Sequence, residues 1–240
     1  MIVKYTNTAW EVITQRAHGM LAGQICAAWT PPADDENWFA TLIATTEHDD
    51  VYNELLGTPL IDKNGAPINF KATSFDPSAA SMQMEMALSK SRFIALLTAK
   101  HIDFTHGKDA KAKAFLNGLK PLQKQWLKEA KVGIKDVDRA YELLEFCDAF
   151  SLLICQGEIP PENRRLEISS GPDGTVFFLH QQETAIIVEP WPFNAREFCV
   201  RYETRTIEKL KFKNDTEFRE ALKEAKVTLK ELKISGKPAK

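Results

Sequence analysis

The sequence predicts an α+β protein, mainly a helical bundle with a smaller C-terminal β-rich segment. Two observations carry that expectation. Between Gln15 and Gln156 apolar residues recur at three- and four-residue spacing, the period of helices with one buried face. After Gly157 the texture changes. Ile159-Pro160-Pro161 reads as a linker, and short apolar runs bounded by turn residues follow, as strands require. The implied organisation is a helical domain over residues 1–157, opened by a short strand, and a β-rich segment over 158–240 with one short helix, packed back on the first. At 240 residues and 44% hydrophobic, the chain has enough apolar material for a substantial core.

Taken in order, Trp10 to Ile13 reads as a short strand and Thr14 as the N-cap of a first helix, Gln15 to Trp29. His18, Leu21, Ala22, Ile25 and Trp29 share one face of it. Pro31-Pro32 and the polar run from Asp34 to Asn37 separate it from a second helix, Asn37 to Asp49, whose last turn carries Glu47-His48-Asp49-Asp50. A loop from Leu56 to Phe70 is marked by Gly57-Thr58-Pro59 and Asn64-Gly65. Asp76 caps a predicted long helix from Pro77 to His101, with Met82, Met86, Phe93, Ile94, Leu97 and His101 on its apolar side and Lys90 interrupting the stripe. Lys108 to Ala130 is basic and amphipathic. Lys135 to Gln156 is the most apolar helix, with Val137, Tyr141, Leu144, Asp148, Ser151 and Cys155 in one line. Strands follow at Leu166–Ser169, Thr175–His180, Ala185–Val188 and Phe198–Thr206. A helix capped by Asp215, a strand over Val227–Ile234 and a frayed tail from Gly236 complete the chain.

Charge excludes some partners. Thirty-one basic residues against 33 acidic give a net charge of −2, with no overall pull toward a nucleic-acid polymer or an anionic membrane. The lysine-rich helix lacks an aromatic stacking platform and reads as a solvated face. No apolar run approaches the roughly 20 residues of a membrane span, and Met1-Ile2-Val3-Lys4-Tyr5 lacks the layout of a signal peptide. Cys26, Cys147, Cys155 and Cys199 form no CxxC pair, which argues against zinc-ribbon and thioredoxin-like chemistry. The expectation is a soluble cytoplasmic protein with reduced thiols. Its oligomeric state stays open, a homo-oligomer included.

The residues that carry chemistry are His18, His48, Asp49, His101 and Asp148. They come from four predicted helices, each at or near an apolar face. Singly each has a plain reading: His18 as a core histidine, His101 as a cation at a helix C-terminus, Asp148 as the ion-pair partner of Arg139 or Arg16. Jointly they make a donor set of imidazole and carboxylate. That set suits Mn, Fe, Co, Ni or Mg better than a closed structural zinc site, which favours thiolates. Asp148 presses the point, because Leu144 and Leu152 flank it and a buried carboxylate needs a partner or a cation.

The order His18, His48-Asp49, Asp148 resembles the H…HD…D signature of the HD superfamily of metal-dependent phosphohydrolases. The strings "TQRAHGMLAGQICAAW", "LIATTEHDD" and "YELLEFCDAFSLLIC" are similar to its metal-bearing helices. More narrowly, "ITQRAH", "HDD", His101, "LLEFCDAFSLLIC" and the downstream "EPWPF" resemble the marks of a bacterial domain-of-unknown-function family along nearly the full chain. The superfamily resemblance implies an HD-like helical site that hydrolyses phosphate esters of small molecules, often nucleotides. His18, His48, Asp49 and Asp148 would be ligands of one divalent ion, with His101 where dinuclear members add a ligand. The narrow family pattern has Gly and Trp after the second Asp, where this chain has Val51 and Tyr52. Closeness in sequence makes Arg16 and Lys100 candidates for the phosphate, and Asp50 and Glu54 candidates for moving the proton of an attacking water. The competing readings are an HD-like di-iron oxygenase and a non-catalytic, metal-stabilised binding or regulatory module. The two prolines around Trp191 read as a turn.

Overall fold

The computed structural model describes residues 1–236 except Pro32, Asp34, Thr58 and Asn163. The second proline of the Pro31-Pro32 break, the start of the following polar run, the middle of the Gly57–Pro59 turn and the tail after Gly236 therefore lie outside the described residues. The chain begins with β1 (Ile2–Tyr5) and β2 (Trp10–Ile13), which pair antiparallel, and enters α1 (Gln15–Ala28). Thr14 caps α1 as expected, its hydroxyl accepting from the Ala17 amide at 3.2 Å. Then come α2 (Trp38–Thr46), α3 (Pro77–Leu88), α4 (Arg92–His106), α5 (Ala110–Ala130) and α6 (Ile134–Gln156). The remaining elements are β3 (Leu166–Ser170), β4 (Val176–Gln182), β5 (Ala185–Glu189), β6 (Glu197–Ile207), α7 (Asp215–Glu224) and β7 (Lys226–Ser235).

The expectation of a mainly helical bundle with an appended β segment does not hold, although the α+β class does. All seven strands join one sheet in the order β1-β2-β6-β7-β5-β4-β3, curled into a half-barrel and mixed, since β5 and β7 run parallel. Trp10, Glu11 and Val12 register against Ile207, Thr206 and Arg205, so strands from the two ends of the chain are hydrogen-bonded neighbours. Local periodicity carries no trace of such a pairing. β1 and β2 have four residues each, too few to display a clear alternation.

A second correction concerns the long helix over Pro77–His101. The chain breaks after Leu88, and Ser91 starts a new helix by accepting from the Ile94 amide at 3.0 Å. Lys90, which interrupted the apolar stripe, sits in that break. The phase of α3 is consequently not that of α4. Met84 is buried, whereas Met82 is 56% exposed.

α1 and α6 pack on each other and on the sheet, α1 against β6 and α6 against β3. Leu21 and Ile25 from α1, Phe146 and Phe150 from α6, and Leu179, Val188, Val200 and Ile234 from the strands form one continuous core. On the other side α4, α5 and α6 share a second core through Leu97, Leu116, Trp126 and Leu144. The string Glu189-Pro190-Trp191-Pro192-Phe193 closes over the C-terminal end of α1. The Thr30 amide donates to the Pro192 carbonyl at 3.3 Å and the Asn194 amide to the Ala28 carbonyl at 3.0 Å. Phe193, rather than Trp191, is the buried ring there. The Trp29 ring lies 5.2 Å from Phe146, 5.6 Å from Phe177 and 5.8 Å from Phe193. No described helix is long and apolar enough to cross a membrane.

Two glycines set how closely α1 and α2 approach. A Cβ on Gly19 would stand 2.5 Å from the Thr46 carbonyl oxygen, and one on Gly23 would collide with the Thr46 side chain. Gly19 directly follows His18, and Thr46 is two residues before His48. The missing side chains therefore let the two histidines meet.

Candidate metal centre

α2 ends in three threonines whose hydroxyls turn back on their own helix, Thr41 to Asn37, Thr45 to Thr41 and Thr46 to Leu42. Successive turns then carry the chain through Glu47–Tyr52, with the Asp50 amide donating to the Glu47 carbonyl and the Tyr52 amide to the Asp49 carbonyl. His48 and Asp49 thus leave the end of α2 and face the buried side of α1. From α6, the predicted line Val137, Tyr141, Leu144, Asp148, Ser151 and Cys155 is buried throughout. His101 arrives from α4, also buried.

The convergence is tight. His18 Nε2 lies 3.1 Å from His48 Nε2, 3.0 Å from Asp148 Oδ1 and 3.9 Å from Asp49 Oδ2. His48 Nε2 lies 3.3 Å from Asp148 Oδ1 and 3.7 Å from Asp49 Oδ2. The His48 and His101 rings are 5.0 Å apart, and two ligand triads share His48: His18 with Asp49, and His101 with Asp148.

The far nitrogens decide which way the lone pairs point. His48 Nδ1 is 2.8 Å from the Thr45 carbonyl, which can only accept, so Nδ1 carries the proton. Ser151 Oγ donates to the Asp148 carbonyl at 2.9 Å and stands 2.7 Å from His18 Nδ1. With its own hydrogen used, it accepts from His18 Nδ1–H. His101 Nδ1 stands 3.4 Å from the Tyr141 hydroxyl. His18 and His48 therefore direct their Nε2 atoms at each other and at Asp148 Oδ1, a buried oxygen that receives no aligned hydrogen bond. Such an assembly calls for a cation at its middle.

At neutral pH without a metal, that cation is a proton. Burial pulls the His48 imidazole down, but the Asp148 and Asp49 charges outweigh it and raise its pKa to about 10. For Asp148, burial pushes up, while the charge of His48 and the contacts of both imidazoles hold it well below the carboxylate range. His101 is pressed down to about 4 by burial and by the charge of His48, so it is neutral with a lone pair to give. A divalent ion fits the same place. Bonds of about 2.1 Å to an octahedral ion put neighbouring ligand atoms roughly 3 Å apart, the spacing found between His18 Nε2, His48 Nε2 and Asp148 Oδ1.

The other residues singled out by sequence lie around this centre with different standing. Arg16 sits at its edge, its Nε and Nη2 donating to the Asp50 carbonyl at 3.0 and 2.6 Å. The Asp50 carboxyl is raised by burial, which Arg16 partly offsets. Glu54 is buried and engaged through Oε1, 2.9 Å from the Met1 amine and accepting from the Gln15 amide at 3.0 Å. Lys100 points away to Asp138, 2.6 Å from Oδ1, and Arg139 pairs with Asp173 at 3.5 Å rather than with Asp148. Sequence reasoning did not single out Gln15, Thr45, Gln83, Tyr141 or Ser151. Gln15 donates to Asp49 Oδ2 at 2.7 Å, and Gln83 donates to the His48 carbonyl. Gln15 and Ser151 were within reach of pattern reading, since each stands three residues from a ligand on the same buried helix face. Gln83 had no such signal.

Fold and site together define an α+β protein with a largely buried His/Asp cluster, assembled from four separate segments, that could hold a metal ion. Residues 1–209 match the family described as "Protein of unknown function (DUF3891)", and the chain belongs to it. The match ends just past β6, so α7 and β7 lie beyond it, even though β7 stands between β6 and β5 in the sheet. No curated protein and no solved structure matches the chain.

Proposed function

We propose that the protein is a metal-dependent phosphohydrolase of the HD type, acting on a small phosphorylated metabolite or nucleotide. The observation that carries this reading is the convergence of both Nε2 atoms on each other and on Asp148 Oδ1 within 3.0–3.3 Å, with the far nitrogens engaged elsewhere. His18, His48, Asp49 and Asp148 would hold a divalent ion of the Mn, Fe, Co, Ni or Mg kind, with His101 in reserve. Such an ion supplies Lewis acidity, acidifying water and neutralising phosphoryl charge. Arg16 is held by two hydrogen bonds to the Asp50 carbonyl, which leaves its remaining N–H groups for phosphoryl oxygens. Asp50, kept above the ordinary carboxylate range by burial, is the acid suited to moving the water proton.

The test is elemental analysis of the protein as purified, followed by a screen of phosphorylated metabolites. Wild type is expected to carry metal and to release phosphate, and His48→Ala and Asp49→Ala to lose both. A well-folded native protein that binds no divalent ion would overturn the proposal. Two irons per chain with an oxygen-sensitive spectrum would redirect it to an oxygenase.

Burial favours a second reading. His18, His48, His101 and Asp148 are 0%, 4%, 5% and 8% exposed, and a non-catalytic module with a structural ion would bury its ligands in this way. Water-proton relaxation by the Mn-loaded protein separates the two, because a catalytic ion keeps an exchanging water and a capped one does not.

A further inference from the structure

Three of the four residues nearest the centre have a firm backing: the His48 ring is held by the Thr45 carbonyl, His18 by Ser151 across the α1–α6 contact, and Asp148 sits in the middle of α6. Asp49 shares with His48 the turn past the end of α2, and its side chain is the most exposed of the four, at 14%. What reaches it is Gln15, whose Nε2 donates to Asp49 Oδ2 at 2.7 Å, on the oxygen that faces His18 and His48.

Gln15 is itself 5% exposed and firmly placed. It is the first residue of α1, its backbone amide donates to Glu54 at 3.0 Å, and His18 follows it by three residues on the same buried face. Its Oε1 is buried and accepts no hydrogen bond. Turning the amide over would set Oε1 against the Asp49 carboxylate, oxygen against oxygen, so the orientation is forced by Asp49.

We propose that Gln15 is a positioning residue of the metal centre, fixing Asp49 in its ligating orientation through the side-chain amide. This rests on the metal-centre reading given above. Gln15 acts by restricting Asp49: with one lone pair of Oδ2 engaged by the amide, the carboxylate cannot swing to solvent, and its other lone pair stays turned toward the histidines.

Co2+ titration of the metal-free protein, followed by its visible d–d spectrum, tests the proposal. Wild type must bind Co2+ first; if it does not, the metal-centre reading itself fails. Gln15→Met keeps the volume and removes the amide. It is expected to weaken Co2+ binding by about 10–100-fold and to shift the spectrum, while the thermal midpoint of the metal-free protein stays near wild type. In an Asp49→Ala background, where the acceptor is gone, the same change is expected to have no further effect on affinity, as two residues acting through one contact require. Wild-type affinity in Gln15→Met, or an equal loss in both backgrounds, would overturn the proposal. If Gln15→Met does not fold, Gln15→Asn, whose amide is shorter by one methylene, replaces it with the same expectations.

Discussion

Helix α1 is buried at both ends, and the two ends are built on opposite principles. At one end Trp29 meets Phe146 and Phe177 in tilted, edge-on ring contacts, with Phe193 closing the stack. At the other, His18 meets Asp148, Ser151 and His48 in a cluster of imidazoles and carboxylates. The aromatic end is satisfied as it stands. The polar end gathers imidazoles and carboxylates that could hold a metal ion. Burial alone does not separate function from packing; the difference lies in whether the buried groups are content with one another.

Three substitutions and a pH series test this contrast. The largest effect is expected from Asp148→Ala, which removes the carboxylate shared by both imidazoles. Elemental analysis should find no retained ion and phosphate release should vanish, whereas a full equivalent of bound metal would refute the assignment. Phe146→Ala, at the aromatic end, is expected to lower the unfolding free energy by about 3–5 kcal/mol, read by urea denaturation. Its folded fraction should bind Co2+ as wild type does, and a fall in affinity would show that the two ends are not independent. Gly23→Ala lies between them. Crowding Thr46 is expected to destabilise the protein by about 1–3 kcal/mol and, by pushing α1 off α2, to weaken Co2+ binding as well.

The remaining test is in pH. The pKa of His48 rises from 6.5 to about 10 on folding, so its contribution is fully present below pH 6.5 and fades as pH climbs through 10. The pKa of His101 falls from 6.5 to about 4, so its contribution is fully present above pH 6.5 and fades as pH drops toward 4. The thermal midpoint of metal-free protein should therefore be highest near pH 6.5 and decline on both sides, while bound metal, which needs neutral His48, should remove the alkaline decline. A metal-free curve flat between about pH 6 and 9 would contradict the His48 assignment.

Much of the site was legible because polar residues were conspicuous at buried helical positions. His18 stood on the face of Leu21 and Ile25, and Asp148 on the line of Leu144 and Ser151. Arg16 and Lys100 were chosen by closeness in sequence, which says nothing of direction. Arg16 turns to the Asp50 carbonyl beside the centre, and Lys100, next to His101 on α4, projects to Asp138 at the surface. The sheet was the least legible part. Its strands other than β1 were found singly, yet the pairing of β2 with β6 and the insertion of β7 between β6 and β5 are long-range hydrogen-bonding choices that no window of residues contains. The break at Ser89–Ser91 escaped because serine is unremarkable inside a helix until its side chain is seen capping the next one.

The pairing of Trp10–Val12 with Arg205–Ile207 has a consequence for biosynthesis. Every ligand of the centre precedes Gly157, so α1, α2, α4 and α6 leave the ribosome before β6, the strand that ties down the hairpin leading into α1. The groups that surround His18, on His48, Asp148 and Ser151, are all synthesised before β6, so the sheet is completed around a centre whose parts already exist.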